Sequence, residues 1–338
     1  IKRFPLAQLL AKGEIVRKLS LEDGPEGDLE IIKTKYNLSG NDNPPNVAIK
    51  KPLTKQRKNL EDQPTLLFRA WHSEESPLLP SIYAEPSEGG FKLWVHVPAV
   101  SERINLGSKL DDWIKSRSKS ICLGNTWQNL LSSKLRDEAA FKVDEVNSAI
   151  TIEMLINKDG ETTNWDFYLS TIKPIAIINE EHLKIIIKRK PGAKTIPAKI
   201  KSIKNSVNTV ESILFLSNLI NNTLIEAGLI ELDSDLPKIS NLNDLIYSCP
   251  GSDLEGWMPT FNTSDPQSII TLLTKYSNII LSKHFKTYNI DSINLSKPFQ
   301  ENFQVNDIIK SALLLDTKIT VNEDGIVSFT ELLKSIKA

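Results

Sequence analysis

The sequence is poor in cysteine and has no long apolar run. Its two cysteines, Cys122 and Cys249, give neither a disulfide framework nor a metal-ligand spacing, which suits a reducing compartment. No segment approaches the roughly 20 apolar residues that a membrane helix needs. The N-terminal IKRFPLAQLL lacks the apolar core of a secretion signal. We therefore expect a soluble, cytoplasmic protein without a membrane partner.

An excess of charge of either sign is also missing. The 41 basic and 42 acidic side chains nearly cancel, so composition alone indicates no nucleic-acid partner, DNA included, and any basic surface must be local. Arginine is scarce, with eight residues against 33 lysines, and the last arginine is Arg189. What the chain does have is apolar content: 40% hydrophobic residues over 338 positions can bury a full core.

Apolar periodicity predicts an α+β fold in which a mixed or antiparallel sheet is packed by helices. Alternation from Phe91 to Val97, after the Gly89-Gly90 turn, predicts a strand, and a β-hairpin is expected over 146–169 with its turn at 157–160. Helical spacing predicts four longer helices: one capped by Ser108, one over 127–141, one over 207–228, and one after Pro266.

The same patterns divide the chain into three parts. Residues 1–64 form a small N-terminal region that is loop-rich and charged, apart from a short apolar helix or strand around 6–15. Residues 65–290 carry the regular periodicity and are expected to form the main domain. Residues 291–338 are expected to form a helical tail.

One continuous stretch resembles a known enzyme family. The residues GGFKLWVHVPAVSERINLGSKLDDWIKSRSKSICLG are similar to the RNB catalytic domain of ribonuclease II and ribonuclease R. That family has a strand, then a Gly-Ser-x-Leu-Asp helix start, then an Arg-x-x-Ser-x-Tyr-Leu-Pro segment. The positions in register without a gap are Gly107, Ser108, Leu110, Asp111, Arg117, Ser120 and Leu123. The resemblance continues through the 146–169 hairpin to the helix with VESILFLSNLINNTLI, and so covers about 64–285.

The resemblance implies 3′-to-5′ degradation of RNA with Mg²⁺, held by four aspartates spaced D, five residues, D-x-D-D directly before the strand. Such carboxylates hold the metal ions that activate water and bridge the scissile phosphate. Counted back from Gly107, the four positions are Ala70, Ser76, Leu78 and Leu79, and none is a carboxylate. No D-x-D-D occurs anywhere in the chain, so the absence does not depend on the register.

Three further family positions are altered. Ala99 stands where the resemblance places an aspartate, and Cys122 where it places a tyrosine that packs against the terminal nucleotide. The arginine of a Ser-Pro-x-Arg-Arg-Tyr segment is replaced around Thr274 and Lys275, which precede Tyr276, and no arginine follows Arg189. Lysine can supply charge there but not the planar bidentate fork. The resemblance therefore implies a member without catalytic residues, metal ligands or a cofactor.

Other polar residues could replace the missing metal ligands or catalytic groups. His72, Glu74 and Glu75 could form a new metal site, although a glutamate pair beside Ser and Pro is typical of a solvated loop. Cys122 could be a nucleophile, but a lone cysteine between Ile and Leu is more often a small buried side chain. The pair at 111–112 lies in the first turn of a helix, where carboxylates offset the macrodipole.

A lysine-rich segment is the strongest positive signal. It contains no acid between Leu183 and Ser206, and it could neutralise RNA phosphates or could be a solvated loop. Its basic residues are Lys184, Lys188, Arg189, Lys190, Lys194, Lys199, Lys201 and Lys204. A weaker second group comprises Lys50, Lys51, Lys55, Arg57 and Lys58. Neither group is interleaved with aromatic residues, so base stacking is not indicated.

The sequence therefore predicts a catalytically inactive relative of ribonuclease II that acts as an RNA-binding or protein-interaction (scaffold) component. Its expected partners are single-stranded RNA or a protein complex. The alternative is an active Mg²⁺-dependent 3′–5′ exoribonuclease that uses displaced residues. We expect end-labelled RNA incubated with Mg²⁺ or Mn²⁺ to distinguish the two.

Overall fold

The computed structural model of the chain describes most of the central part of the sequence. The described residues are 14–15, 18, 25–35, 43–54, 56–70, 78–118, 120–123, 126–190, 193, 195–226 and 261–292. The element expected around 6–15 lies almost entirely outside this set, and so does the expected tail at 291–338.

The described residues form nine strands and six α-helices. The strands are β1 (Lys58–Leu60), β2 (Leu66–Phe68), β3 (Ser81–Ser87), β4 (Gly90–Pro98), β5 (Ile121–Leu123), β6 (Thr126–Gln128), β7 (Asn147–Asn157), β8 (Thr162–Ile172) and β9 (Ala176–Ile178). The helices are α1 (Pro25–Lys35), α2 (Lys109–Arg117), α3 (Ser133–Ala139), α4 (Glu180–Ile187), α5 (Val207–Glu226) and α6 (Pro266–Thr287). Two 3₁₀ segments cover Ser101–Arg103 and Ala198–Ser206.

Seven of the strands form one mixed sheet in the order β1-β8-β7-β4-β3-β2-β9. Its central pairs are antiparallel, whereas the outer pairs β1·β8 and β2·β9 are parallel. β5 and β6 form a separate two-stranded sheet. The α+β fold with a mixed sheet packed by helices is therefore confirmed.

Two hairpins build the centre of the sheet; the β7–β8 hairpin and the strand β4 were expected from the sequence, whereas β3 was not. β3 and β4 are joined at Gly89, whose φ of 87° lies in the left-handed region that glycine adopts without strain. β7 and β8 turn at 157–160, where Gly160 has φ of 82° and Asn157 Oδ1 accepts hydrogen bonds from the amides of Asp159 and Glu161. These turns fix the register of the two hairpins.

One face of the sheet packs against α4, α5 and α6 through a continuous apolar core. The strands contribute Ile82, Leu93 and Met154, all fully buried, and the helices contribute side chains such as Ile213 and Leu273. Burying each of these side chains stabilises the fold by about 1.5–3 kcal/mol. In this core α5 packs against β3, and α4 and the 3₁₀ segment between them pack against α5 and against each other.

Two expectations from the sequence need correction. The helix expected over 127–141 is wrong in its first half, because Thr126–Gln128 pairs as β6 with β5 and the helix begins only at Ser133. Ser132 caps that helix by accepting a hydrogen bond from the Leu135 amide at 3.4 Å. The main sheet also begins upstream of residue 65, since β1 pairs in parallel with β8.

None of the helices within the described residues combines the length and apolarity that crossing a membrane requires.

Candidate nucleic-acid interface and the altered metal position

The positions that correspond to the family's metal ligands lead into β3 and are apolar where the structure describes them. Ala70 is 3% exposed and belongs to the core, and the partly buried Leu79 packs against that core. Ser76 lies outside the described residues. β3 begins at Ser81, and shifting the count by one residue toward the C-terminus brings in Trp71, Pro77, Leu79 and Pro80. Shifting it by one residue toward the N-terminus brings in Arg69, Glu75, Pro77 and Leu78. These registers therefore offer at most one carboxylate, where the family pattern has four.

This donor set does not fit Mg²⁺, which takes oxygen ligands and is commonly held by carboxylates. Across the part of the chain that the structure describes, no three His, Cys, Asp or Glu side chains are grouped closely enough to hold a metal ion. The alternative ligands His72, Glu74 and Glu75 lie outside the described residues, so that hypothesis stays untested.

A row of buried polar side chains crosses the sheet beside this position. Ser81 donates to Thr65 Oγ1 at 2.9 Å, His96 Nδ1 lies 2.9 Å from Thr151 Oγ1, and Thr151 Oγ1 lies 2.6 Å from Ser170 Oγ. All five residues are fully buried. Burial lowers the pKa of His96 to about 3, so its imidazole is neutral at physiological pH. The row is closed to solvent, and its hydrogen bonds join neighbouring strands.

Two other residues of the compared segments, Ala99 and Tyr276, are buried in the structure. Ala99 is 1% exposed, and Tyr276, 5% exposed, lies on α6. The Tyr276 hydroxyl donates to the Gly160 carbonyl at 3.1 Å and lies 2.7 Å from Thr162 Oγ1, so it joins α6 to the β7–β8 turn. Burial raises its pKa. Cys122 lies in β5, and its side chain is not among those described.

The lysine-rich segment spans α4, the following loop and the 3₁₀ segment 198–206. α4 begins at a capping box in which Asn179 Oδ1 accepts from the His182 amide at 2.9 Å. Two of the predicted RNA-binding lysines pair with acids on this helix: Lys184 with Glu180 at 2.8 Å and Lys199 with Glu181 at 3.0 Å. These pairs are exposed and therefore weak, so a phosphate could compete for either lysine.

Arg189 is placed differently from its lysine neighbours. Its side chain is 8% exposed and forms a 2.5 Å ion pair with Glu211 on α5. It also donates to the carbonyls of Ala193 and Thr195. The guanidinium is thus engaged inside the fold, so the predicted role of Arg189 as a phosphate ligand would require these bonds to break.

Four of the predicted basic residues are exposed and form no salt bridge with any other described residue: Lys188, Lys190, Lys201 and Lys204. We call these four the lysine patch. Lys201 and Lys204 both belong to the 3₁₀ segment, whose backbone is kinked at Ile203, and both side chains are exposed. Their neighbours Ile200 and Ile203 are buried in the core. Lys194 lies outside the described residues.

With this geometry established, comparison with known proteins decides the family. The model of the RNB domain family matches residues 57–338. The chain belongs to the RNB domain family. Ribonuclease R of Aquifex aeolicus is 24% identical over 256 residues, covering 72% of this chain and 35% of the relative. Ribonuclease R of Thermotoga maritima is 26% identical over 185 residues, covering 51% and 26%. This RNB chain therefore spans only about a third or less of these curated relatives.

Solved structures show the same fold. RNase R of Mycoplasma genitalium in complex with double-stranded RNA superimposes with a TM-score of 0.69 at 16% identity, covering 93% of this chain and 55% of that chain. Yeast Ssd1, described as a pseudonuclease, gives a TM-score of 0.60 at 17% identity, covering 94% and 38%. At these identities the likeness establishes the RNB fold, while activity has to be argued from the residues.

The second basic group of the sequence does not form one surface in this RNB chain. Arg57 is buried, pairs with Glu102, and donates to the carbonyls of Ala149 and Ser170 at 3.0 Å each. Lys58 pairs with Glu153 at 3.3 Å, and Lys55 lies outside the described residues. Sequence reasoning missed that both arginines of the two basic groups are internal, because their acidic partners lie far away along the chain.

Proposed function

We propose that this RNB domain is catalytically inactive and binds single-stranded RNA through the lysine patch. The observation that carries the first half is the replacement of the metal-binding carboxylates by apolar residues at the entrance to β3. Without carboxylates the site has no means of holding Mg²⁺, and no hydroxide is generated for attack on a phosphodiester. In this proposal the domain needs no metal cofactor.

The RNA-binding half rests on charge and exposure. The four exposed lysines at 188, 190, 201 and 204 can each approach a phosphate and release counterions. RNase R of Mycoplasma genitalium, whose fold this chain shares, is described in complex with ribose-methylated single-stranded RNA. The description of yeast Ssd1 as a pseudonuclease supports a second case of this fold without nuclease chemistry.

The first experiment tests activity. The protein is incubated with 5′-labelled single-stranded RNA and Mg²⁺ or Mn²⁺, and the products are resolved by denaturing electrophoresis. We expect the RNA to remain intact at protein concentrations equal to that of the RNA. Progressive shortening from the 3′ end would overturn the proposal and establish the alternative, an exoribonuclease with displaced catalytic residues.

The second experiment tests RNA binding by fluorescence anisotropy over a range of salt concentrations. Each phosphate contact on a single strand contributes about −0.7 to the slope of log K against log salt, so four contacts predict a slope near −3. Changing Lys188, Lys190, Lys201 and Lys204 to Ala is expected to abolish most of that slope. The matched control changes four exposed lysines elsewhere, Lys109, Lys134, Lys142 and Lys158, to Ala.

The control separates a local site from general attraction to RNA. The control variant should bind like the wild type, because its lysines lie on α2, α3, the following loop and the β7–β8 turn. Equal loss in both variants would show non-specific attraction. Absence of binding by the wild type at low salt would leave a protein-interaction scaffold, to be sought by native mass spectrometry of complexes from the source cell.

A further inference from the structure

The lysine patch is divided between two elements. Lys188 directly follows α4 and Lys190 lies two residues further on, whereas Lys201 and Lys204 project from the 3₁₀ segment that leads into α5. Simultaneous contact with one RNA strand requires the two halves to keep a fixed separation. The part of the structure that sets this separation therefore affects RNA affinity without touching RNA.

Arg189 lies within the first half, between Lys188 and Lys190, and its side chain is bonded to the loop after α4 and to α5, the helix into which the 3₁₀ segment leads. Its Nη1 donates to Glu211 Oε1 at 2.5 Å, its Nη2 donates to the Ala193 carbonyl, and its Nε donates to the Thr195 carbonyl at 3.3 Å. Its backbone amide also donates to the Ile186 carbonyl of α4 at 3.0 Å. One side chain thus links the end of α4, the loop after it, and α5.

A second side-chain link between these elements is weaker. Lys199 reaches Glu181 of α4 at 3.0 Å, but the two side chains are 75% and 62% exposed. Such a pair contributes little and is screened by salt. Arg189 at 8% exposure and Glu211 at 21% are shielded from solvent, so their bond is the stronger constraint.

We infer that Arg189 is a positioning residue for the proposed RNA-binding site: with Glu211, it holds the two halves of the lysine patch in one arrangement. This inference rests on the proposed function. It differs from the simplest interpretation of a basic segment, in which Arg189 would contact phosphate and Glu211 would only weaken RNA binding by its negative charge.

The substitution Glu211→Gln separates the two interpretations by the sign of its effect. Removing the negative charge that pairs with Arg189 should tighten RNA binding if only charge matters. If Arg189 positions the patch, the loss of its ion pair frees the loop, and RNA must reorder it on binding. We expect about three- to tenfold weaker binding, with an unchanged salt slope because no phosphate contact is removed.

The substitution Arg189→Lys tests the same inference from the other partner of the ion pair. Lysine keeps the charge but cannot bond to Glu211 and two carbonyls in the fixed fork of a guanidinium. We expect weakening similar to that of Glu211→Gln together with faster exchange of the loop amides, whereas an arginine that only contacts phosphate would leave that exchange unchanged. Glu161→Gln, which removes an exposed acid at the β7–β8 turn, is the matched control and should leave affinity unchanged.

Hydrogen exchange without RNA gives a readout that does not depend on binding. The amides of 193, 195, 196 and 198–200 should exchange faster in Glu211→Gln and Arg189→Lys than in the wild type at a temperature where all are folded. Tighter RNA binding by Glu211→Gln, or unchanged exchange in both variants, would overturn the inference. If the wild type itself fails to bind RNA, the proposed function fails first, and that outcome is distinguishable from either of these.

Discussion

The two faces of the seven-stranded sheet are held by different interactions. The face toward α4, α5 and α6 is apolar, with Ile82 and Leu93 among its fully buried side chains. The opposite face carries the buried row that includes His96, the buried guanidinium of Arg57, and the ion-paired Glu153. The hydrophobic effect that stabilises the apolar face has no preferred direction, whereas the hydrogen bonds and ion pairs of the polar face require particular distances and angles between donor and acceptor.

The difference shows what each face contributes to the fold. Ser81, His96 and Thr151 lie directly opposite one another on three neighbouring strands. A slip of one residue would carry these polar groups into the apolar core, so the polar row specifies register while the apolar face supplies most of the stabilisation. Neither face uses a carboxylate at positions 70, 78 or 79, which have apolar side chains in this chain.

Removing Arg57 should give the largest loss on the polar face. Its side chain is 2% exposed, pairs with Glu102, and donates to the Ala149 and Ser170 carbonyls. Arg57→Ala leaves a carboxylate and two carbonyls without their donor, and we expect the free energy of unfolding to fall by about 3–5 kcal/mol. Urea denaturation monitored by tryptophan fluorescence measures this change.

The double variant Arg57→Met/Glu102→Leu serves as the control for that experiment. It removes both charges and keeps apolar volume, so it should recover a large part of the lost stability. A double variant as unstable as Arg57→Ala would mean that the bonds to the two carbonyls, and not the unpaired charge, account for the loss.

Removing apolar volume from the other face should have a similar but slightly smaller effect. Leu93 is fully buried in the centre of the core, and Leu93→Ala is expected to destabilise the protein by about 3 kcal/mol. Leu106, 89% exposed, offers a matched control, and Leu106→Ala should change stability by less than about 0.5 kcal/mol. Equal effects at the two positions would contradict the assignment of the core to this face.

Acidification should affect the polar face selectively. The folded pKa of His96 is lowered to about 3, below the ordinary value of 6.5, because burial disfavours the imidazolium. The unfolded chain therefore binds the proton more readily, and stability falls as the pH drops from 6.5 toward 3. We expect the wild type to lose about 1.4 kcal/mol per pH unit more than His96→Gln between pH 5.5 and 4.5. Parallel pH profiles for the two proteins would exclude this role for His96.

The elements that sequence predicted well are those fixed by local signals. Ser108 caps α2 by accepting from the Asp111 amide at 3.2 Å, and Asp265 with Pro266 starts α6. The turn glycines at 89 and 160 likewise placed the start of β4 and the β7–β8 hairpin, although β3 was missed. The helix α1 was missed, although Pro25 is a recognisable start signal. The prediction that a helix begins at Trp127 was wrong because this residue pairs with β5, and that pairing outweighs the helical spacing of the nearby apolar residues.

The candidate site was less predictable because charge in a sequence does not reveal pairing in space. Arg189 and Glu211 lie 22 residues apart, and Arg57 and Glu102 lie 45 apart, so neither pair is visible as a local pattern. The absence of the family's D-x-D-D pattern, in contrast, could be read directly from the sequence, because it does not depend on how the chain folds. Whether the lysine patch binds RNA stays a prediction.

The partly exposed ion pairs of Glu153, which form the rim of the polar face, should contribute least to the free energy of unfolding. Glu153 accepts from Lys92 at 2.5 Å and Tyr168 at 2.5 Å, and it lies 3.3 Å from Lys58. Burial would raise its pKa, but these bonds and the lysine charges outweigh burial and lower the pKa to about 2. The stabilisation is therefore present above pH 4.5 and is lost as the pH falls toward 2.

Because Lys92 and Lys58 are 36% and 53% exposed, solvent screens the pairs, and Glu153→Gln should cost no more than about 1 kcal/mol at neutral pH. Repeating the unfolding measurement in 1 M salt should reduce this cost, while the cost of Arg57→Ala should hardly change, since buried pairs are screened far less. A large loss of unfolding free energy in Glu153→Gln that salt does not reduce would show that the rim is as well shielded from solvent as the buried row. The polar face would then have to be treated as a single unit.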